Sequence, residues 1–219
     1  MPASDGTVLT IGHSTHAMDA FVELLQRHDV TAVADVRAAP YSRFNPQFNR
    51  EPLAGSLVAR GIAYVFLGSE LGGRSDDPSC YENGRISYAR LRGTPSFGNG
   101  LDRVAQGAAS HRIALMCAEK EPLECHRGLL VAPALEARGV SVAHIGPEGG
   151  LERHADAMCR LIAMHGMEDA IESQRLFPRS HAERIAEAVN RQAHRFAHRN
   201  ETPADDSTPP GRRNGELPT

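Results

Sequence analysis

Apolar residues come along this chain in short continuous runs, separated by segments where they recur every three or four positions. Val8-Leu-Thr-Ile11, Val30-Thr-Ala-Val-Ala34, Ile62-Ala-Tyr-Val-Phe-Leu67, Ile113-Ala-Leu-Met116 and Val140-Ser-Val-Ala-His-Ile145 each read as a strand. Between the first two, Met18, Phe21, Val22 and Leu25 fall at helical spacing. Ser14 or Thr15 is placed to cap that helix, Asp19 lies in its first turn, and its stop comes near His28-Asp29. Leu53 to Arg60, with Gly61 as its stop, and Leu101 to Ala109 read as further helices. Leu129 to Leu135 is another, its first turns left irregular by Pro133, and Gly139 ends it. After a turn at 147–150, Leu151 to His165 reads as a helix with Met158, Leu161 and Ile162 inward and Cys159 packed on it. Strand and helix alternate, which predicts an α/β fold: a three-layer sandwich with a mainly parallel central sheet.

Polar stretches punctuate that pattern. Tyr41 to Arg50 is an irregular loop of aromatic and polar residues, and 75–100, rich in Asp, Pro, Ser and Gly, reads as an insertion or lid. Gly68-Ser-Glu-Leu-Gly-Gly-Arg74 is glycine-rich but lacks the Lys-Ser/Thr ending of a phosphate loop. Ser180-His-Ala-Glu183 matches a capping box and opens a helix to about His198. Arg184, Arg191, Arg195 and Arg199 on that helix read as a solvated face, with an anionic partner as the lesser alternative. The chain thus divides into an α/β domain over 7–165, a helical extension over 166–199 and a disordered tail over 200–219.

Composition narrows the function classes. A chain of 219 residues with 41% hydrophobic content can bury one substantial core. Its net charge of -3 supplies no global basic field for nucleic acid, so any such contact is a local patch. Four cysteines in a chain of this length do not make a disulfide scaffold. No run has transmembrane length and no leader is evident, so a cytoplasmic protein with reduced thiols and no membrane contact is expected.

The densest chemistry lies in Cys117-Ala-Glu-Lys-Glu-Pro-Leu-Glu-Cys-His-Arg127, between a buried strand and a helix. A plain connection there would use Gly, Asn, Asp or Ser. Cys125, His126 and Arg127 instead place a thiol, a titratable base and an anion clamp at a helix start, which favours thiolates and bound anions. In parallel sheets, ligands bind beyond the carboxyl ends of the strands. Those ends carry Gly12-His13-Ser14, Asp35-Val-Arg37, Gly68 to Arg74, Cys117-Ala-Glu119 and His144. Asp35, Arg37, Cys117, Glu119 and Arg127 are therefore expected to line one cavity.

The same residues carry a family resemblance. Gly-His-Ser at the first strand, Asp-Val-Arg-x-x-Pro-x-Ser-Arg at 35–43 and Leu-Gly-Gly at 71–73 resemble domain-of-unknown-function family 488 (DUF488). So do Cys-x-Glu at 117–119, Cys-His-Arg at 125–127 and His-Ile at 144–145. The likeness runs in order through about residues 7–165. It implies an α/β fold with a polar pocket and no assigned reaction.

Three functions compete. An enzyme acting on a nucleotide-like or other anionic substrate fits best. Asp35, Cys117, Glu119, Cys125 and His126 are the candidate catalytic groups. His13, Ser14, Arg37, Ser42, Arg43, Gly72, Gly73, Arg74 and Arg127 are the candidate binding groups. A non-catalytic module for nucleotide or nucleic acid is the alternative, reading nucleic acid through the 41–50 loop, which could stack bases and hold phosphates, and the basic C-terminal helix. A thiol redox or metal protein comes third, with Cys117 and Cys125 joined by His13 or His126. Seven residues between the cysteines match neither Cys-x-x-Cys nor a usual zinc spacing, so no metal set and no cofactor is assigned. A Cys-x5-Arg phosphatase loop fails too, because the sixth position after Cys125 is Val131.

Overall fold

The computed structural model describes residues 6–199. Its first half runs β1 (Val8–Gly12), α1 (Met18–Gln26), β2 (Ala32–Asp35), α2 (Arg50–Val58), β3 (Ala63–Phe66), α3 (Gly68–Leu71), β4 (Tyr81–Glu82) and β5 (Arg85–Ile86). There follow α4 (Tyr88–Arg92), α5 (Pro95–Ala108), β6 (Ile113–Cys117), α6 (Ala132–Glu136), β7 (Val142–Ile145), β8 (Leu151–Arg153), α7 (His154–Met164), α8 (Asp169–Glu172) and α9 (His181–Phe196).

Strands β1, β2, β6 and β7 are buried at every position, which is why their sequences are apolar without alternation. They form a sheet ordered β3-β2-β6-β1-β7-β8, parallel except for β8, which pairs antiparallel with β7. Leu9, Ile11, Val33, Ala114 and Met116 pack on one face with Phe21 and Leu25 of α1 and Leu53 and Leu57 of α2. Val8, Ala34, Leu115 and Cys117 pack on the other with α5, α6 and α7, through side chains such as Leu101, Leu135 and Leu161. The expected α/β sandwich, mainly parallel, is what forms.

Several local expectations need correction. Helix α1 begins at Met18 with Ala17 as its cap; Ser14 sits apart in left-handed backbone (φ 46°), so neither Ser14 nor Thr15 caps it. Helix α5 starts at Pro95 rather than Leu101, because Thr94 Oγ1 accepts from Phe97 N (3.3 Å) and Pro95 supplies a first turn that needs no N–H. Leu151 to Arg153 is the edge strand β8, and only His154 onward is helical. Cys159 is exposed on α7, not packed. On α9 the Ser180–Glu183 capping box is present, but Arg184 is buried on Met167 O (2.8 Å) and Asp169. The predicted tail, 200–219, lies outside the described residues. No described helix is long and apolar enough to cross a membrane.

Candidate active site

Parallel pairing sets the carboxyl ends of β1, β6 and β2 side by side. Gly12 stands opposite Cys117, and Asp35 opposite Met116. Gly12 is required there: a Cβ would fall 1.9 Å from Glu119 O, where the chain leaving β6 crosses β1. Beyond Cys117 the chain makes a short 3-10 turn (Pro122–Glu124) and then a π-helical turn, Arg127–Val131, before α6. Pro133 has no N–H for Leu129 O, which favours the wider winding. Such π-turns recur at functional sites. The loop that holds the 3-10 turn returns the chain to Cys117, so that Cys125 and His126 stand beside it at the entry to the π-turn.

The resulting cavity has a volume of ≈ 280 Å³ and is lined by Arg37, Gly73, Arg74, Cys117, Ala118, Glu119, Cys125 and His126 among others. His126 is its pivot. Its Nε2 donates to Val36 O (2.9 Å), which directs Nδ1 at two sulfurs, Cys117 Sγ at 3.7 Å and Cys125 Sγ at 3.8 Å. Gly73 makes room for the ring, since a Cβ there would lie 3.0–3.1 Å from it. Cys125 Sγ donates to Glu119 Oε2 (3.0 Å) and accepts from Arg127 N (3.4 Å).

Charge separates the two thiols. Burial pushes the Cys117 thiol well up. Burial acts upward on Cys125 as well, but a hydrogen bond with Cys117 and the charges of Arg127 and His126 reverse it, holding that thiol well below its ordinary range. His126 is raised: desolvation lowers it, but the Cys125 charge and hydrogen bond, the Glu119 charge and the Val36 carbonyl together outweigh that. Glu119 has an exposed side chain whose carboxyl end turns inward; desolvation of that end, then the Cys125 charge, raise it. The lowered Cys125 thiol and the raised Glu119 carboxyl thus face each other across the 3.0 Å contact.

Not every expected residue joins this cavity. The expectation that Asp35 lines it with Cys117 fails, because strand pleating puts them on opposite faces. Ala34 and Val36 share the Cys117 face, which turns Asp35 to the other. There its carboxylate accepts from Arg37 Nε (2.9 Å), Arg37 Nη2 (2.7 Å) and Tyr64 OH (2.8 Å). Arg37 spans both sides, lining the cavity while also donating to Phe48 O (2.8 Å) and to His13 Nε2 (3.2 Å). His13, stacked on Phe48 at 4.3 Å, is held to about 4 by burial, and its Nδ1 donates to Ser14 O (2.9 Å). Arg127 does not line the cavity either. It lies fully buried behind it, donating to Glu119 O (2.6 Å) and Lys120 O (3.0 Å).

Ser42 and Arg43 fall outside the lining. Ser42 Oγ accepts from Phe44 N (3.2 Å), and Arg43 lies over the Phe44 ring (4.7 Å). Gly72 is buried against Ala38. Arg74 is exposed at the rim, and among the described residues its guanidinium has no hydrogen bond or ion pair. It also borders a second depression of ≈ 700 Å³ lined by Phe66, Gly68, Ser69 and Thr94. Sequence reasoning missed Tyr88, Glu124, Phe196 and His198, which also line the first cavity. Phe196 and His198 come from the C-terminal segment, held in place by Ile86 N donating to His198 O (2.9 Å). No motif marks them.

Fold and cavity together define an α/β protein with a thiol–imidazole–carboxyl site at the carboxyl edge of its sheet. The chain belongs to the DUF488 family: the family model, Domain of unknown function DUF488, matches residues 17–133. That span includes Arg74, Cys117, Glu119, Cys125 and His126, and leaves Gly12-His13-Ser14 and His144 outside. No curated protein and no solved structure matches the chain.

Proposed function

We propose that this protein is an enzyme acting on an anionic substrate, nucleotide-like or of similar charge. The observation that carries the reading is a single cavity that joins a group able to transfer protons, Glu119, and the Cys117–Cys125–His126 cluster to Arg74, a guanidinium with no partner among the described residues. Arg37 is neutralised by Asp35, so among the described lining residues Arg74 is the arginine available to a ligand at the rim. A phosphate or carboxylate on Arg74 would bring the adjoining part of the substrate to the cluster. The ≈ 700 Å³ depression on its other side accommodates the remainder.

Calorimetric titration with AMP and inorganic phosphate tests the binding half. A charge-assisted hydrogen bond contributes about 1.5–3 kcal/mol, so Arg74→Ala should weaken AMP binding about tenfold or more while leaving the melting curve unchanged. Equal affinity in the variant would contradict the assignment. A panel of phosphorylated nucleosides and carboxylic esters tests turnover, which Glu119→Gln should abolish. Binding without turnover of any of them would favour the alternative, a non-catalytic nucleotide-binding module.

A further inference from the structure

Cys117 Sγ, Cys125 Sγ and a ring nitrogen of His126 all lie within 4.8 Å of one another. We propose that these three atoms hold a divalent cation of the zinc class, with a fourth coordination position open to the cavity. The inference goes beyond the substrate reading, because it concerns what occupies the cluster before any substrate arrives.

Distance supports it first. A tetrahedral zinc with Zn–S of about 2.3 Å and Zn–N of about 2.0–2.1 Å sets sulfur and nitrogen about 3.5 Å apart. Here both sulfurs stand near that separation from Nδ1, at 3.7 and 3.8 Å. A neutral Nδ1 has one in-plane lone pair and can accept from one thiol, whereas a shared ion places two sulfurs evenly about it.

Orientation supports it next. His126 Nε2 donates to the Val36 carbonyl, the outer contact that metal-bound histidines use to fix ring and tautomer. The donors are also rigidly mounted. Cys117 ends a central strand, and Cys125 and His126 precede the π-turn, so the cluster needs little ordering to bind. Two thiolates and an imidazole are a borderline-soft set that suits zinc over magnesium or calcium, and two thiolate charges offset a divalent ion. Three protein ligands with the cavity on the remaining side is the arrangement of catalytic rather than structural zinc. Glu119, whose Oε2 lies 3.0 Å from Cys125 Sγ, stands beside that open side.

Cobalt is the probe. Metal-free full-length protein, kept reduced with a phosphine, is titrated with Co²⁺ and followed by absorption. The expected result is saturation at one ion per chain, with the intense visible bands of a tetrahedral site and ultraviolet thiolate charge-transfer bands, both removed by stoichiometric zinc. Cys117→Ser and His126→Asn should each weaken binding tenfold or more, on the scale of lost ligand support, while Cys159→Ser changes nothing. A weak octahedral spectrum, or thiolate bands that survive Cys117→Ser with Cys125→Ser, would overturn the proposal.

Because both ligand cysteines are buried, a second readout avoids the variants altogether. Zinc should protect Cys117 and Cys125, but not exposed Cys159, from alkylation mapped by mass spectrometry. Equal labelling with and without zinc would also overturn it. Neither assay contains substrate, so failure here leaves AMP binding at Arg74 standing, and failure there leaves the metal standing.

Discussion

Arg127 is the largest fully buried side chain among the described residues, yet it meets no carboxylate. Its fork instead grips two successive carbonyls, Glu119 O and Lys120 O, and so fixes the chain where it leaves β6. Its Nε has no partner, which leaves the positive charge poorly neutralised beside Cys125. Removing the guanidinium would strand two carbonyls, at about 1–3 kcal/mol for each acceptor left buried and unpaired. Arg127→Ala should therefore destabilise the fold on the scale of two such losses, roughly 2–6 kcal/mol, seen as a lower urea midpoint. Arg127→Lys should not restore it, because an ammonium cannot span both oxygens as a planar fork does. A lysine variant as stable as wild type would show that charge alone matters. The sequence reading placed Arg127 at the site but gave it a ligand-binding task. Nothing in Cys-His-Arg says that the arginine turns back on its own loop, since that depends on how the nine preceding residues fold.

Among the elements, the ones read best from the chain are those whose signal is local. The five apolar runs became β1, β2, β3, β6 and β7, and the Ser180–Glu183 box closed as its four residues required. Ser180→Ala should cost about 1 kcal/mol, measurable as a small drop in urea midpoint; no change would mean that α9 is held by its packing on α7 alone. What stayed hidden was non-local. Strand β8 is three residues beside β7, with no run of its own. The separation of Asp35 from Cys117 follows from the pairing of Asp35 with Met116, a one-residue offset that decides the face. Thr94-Pro95 was a helix start in plain view, obscured by the glycines that follow it. The cluster itself was only half legible. Its donors were named, but seven intervening residues gave no hint that Cys117, Cys125 and His126 converge, because a loop with a 3-10 turn, not a short knuckle, joins the two cysteines.

The whole molecule carries a pH dependence in its buried histidines. His144 hydrogen-bonds Thr10 Oγ1 (2.8 Å) through Nδ1 and His154 Nδ1 (3.0 Å) through Nε2, inside the β1–β7 side of the sheet. Burial lowers His144 to about 3 and His154 to about 4, and His13 likewise to about 4. Each is thus neutral in the fold, while its unfolded counterpart takes a proton near pH 6.5. The unfolded state binds more protons below that point, so stability is full above pH 6.5 and falls as pH drops toward 4 and 3. The loss by pH 5 is roughly 1–2 kcal/mol per histidine, and urea midpoints at pH 7 and pH 5 should differ accordingly. A flat midpoint would mean that these rings ionise in place.

At the carboxyl edge of the sheet, Arg74 and the Cys117–Cys125–His126 cluster are where we propose that an anionic substrate binds. A crystal structure grown with AMP tests it most directly. The phosphate is expected on the Arg74 guanidinium, with the nucleoside reaching either into the cluster cavity or into the adjoining depression. AMP bound instead on the arginines of α9, with the strand-end cavity bare, would contradict it.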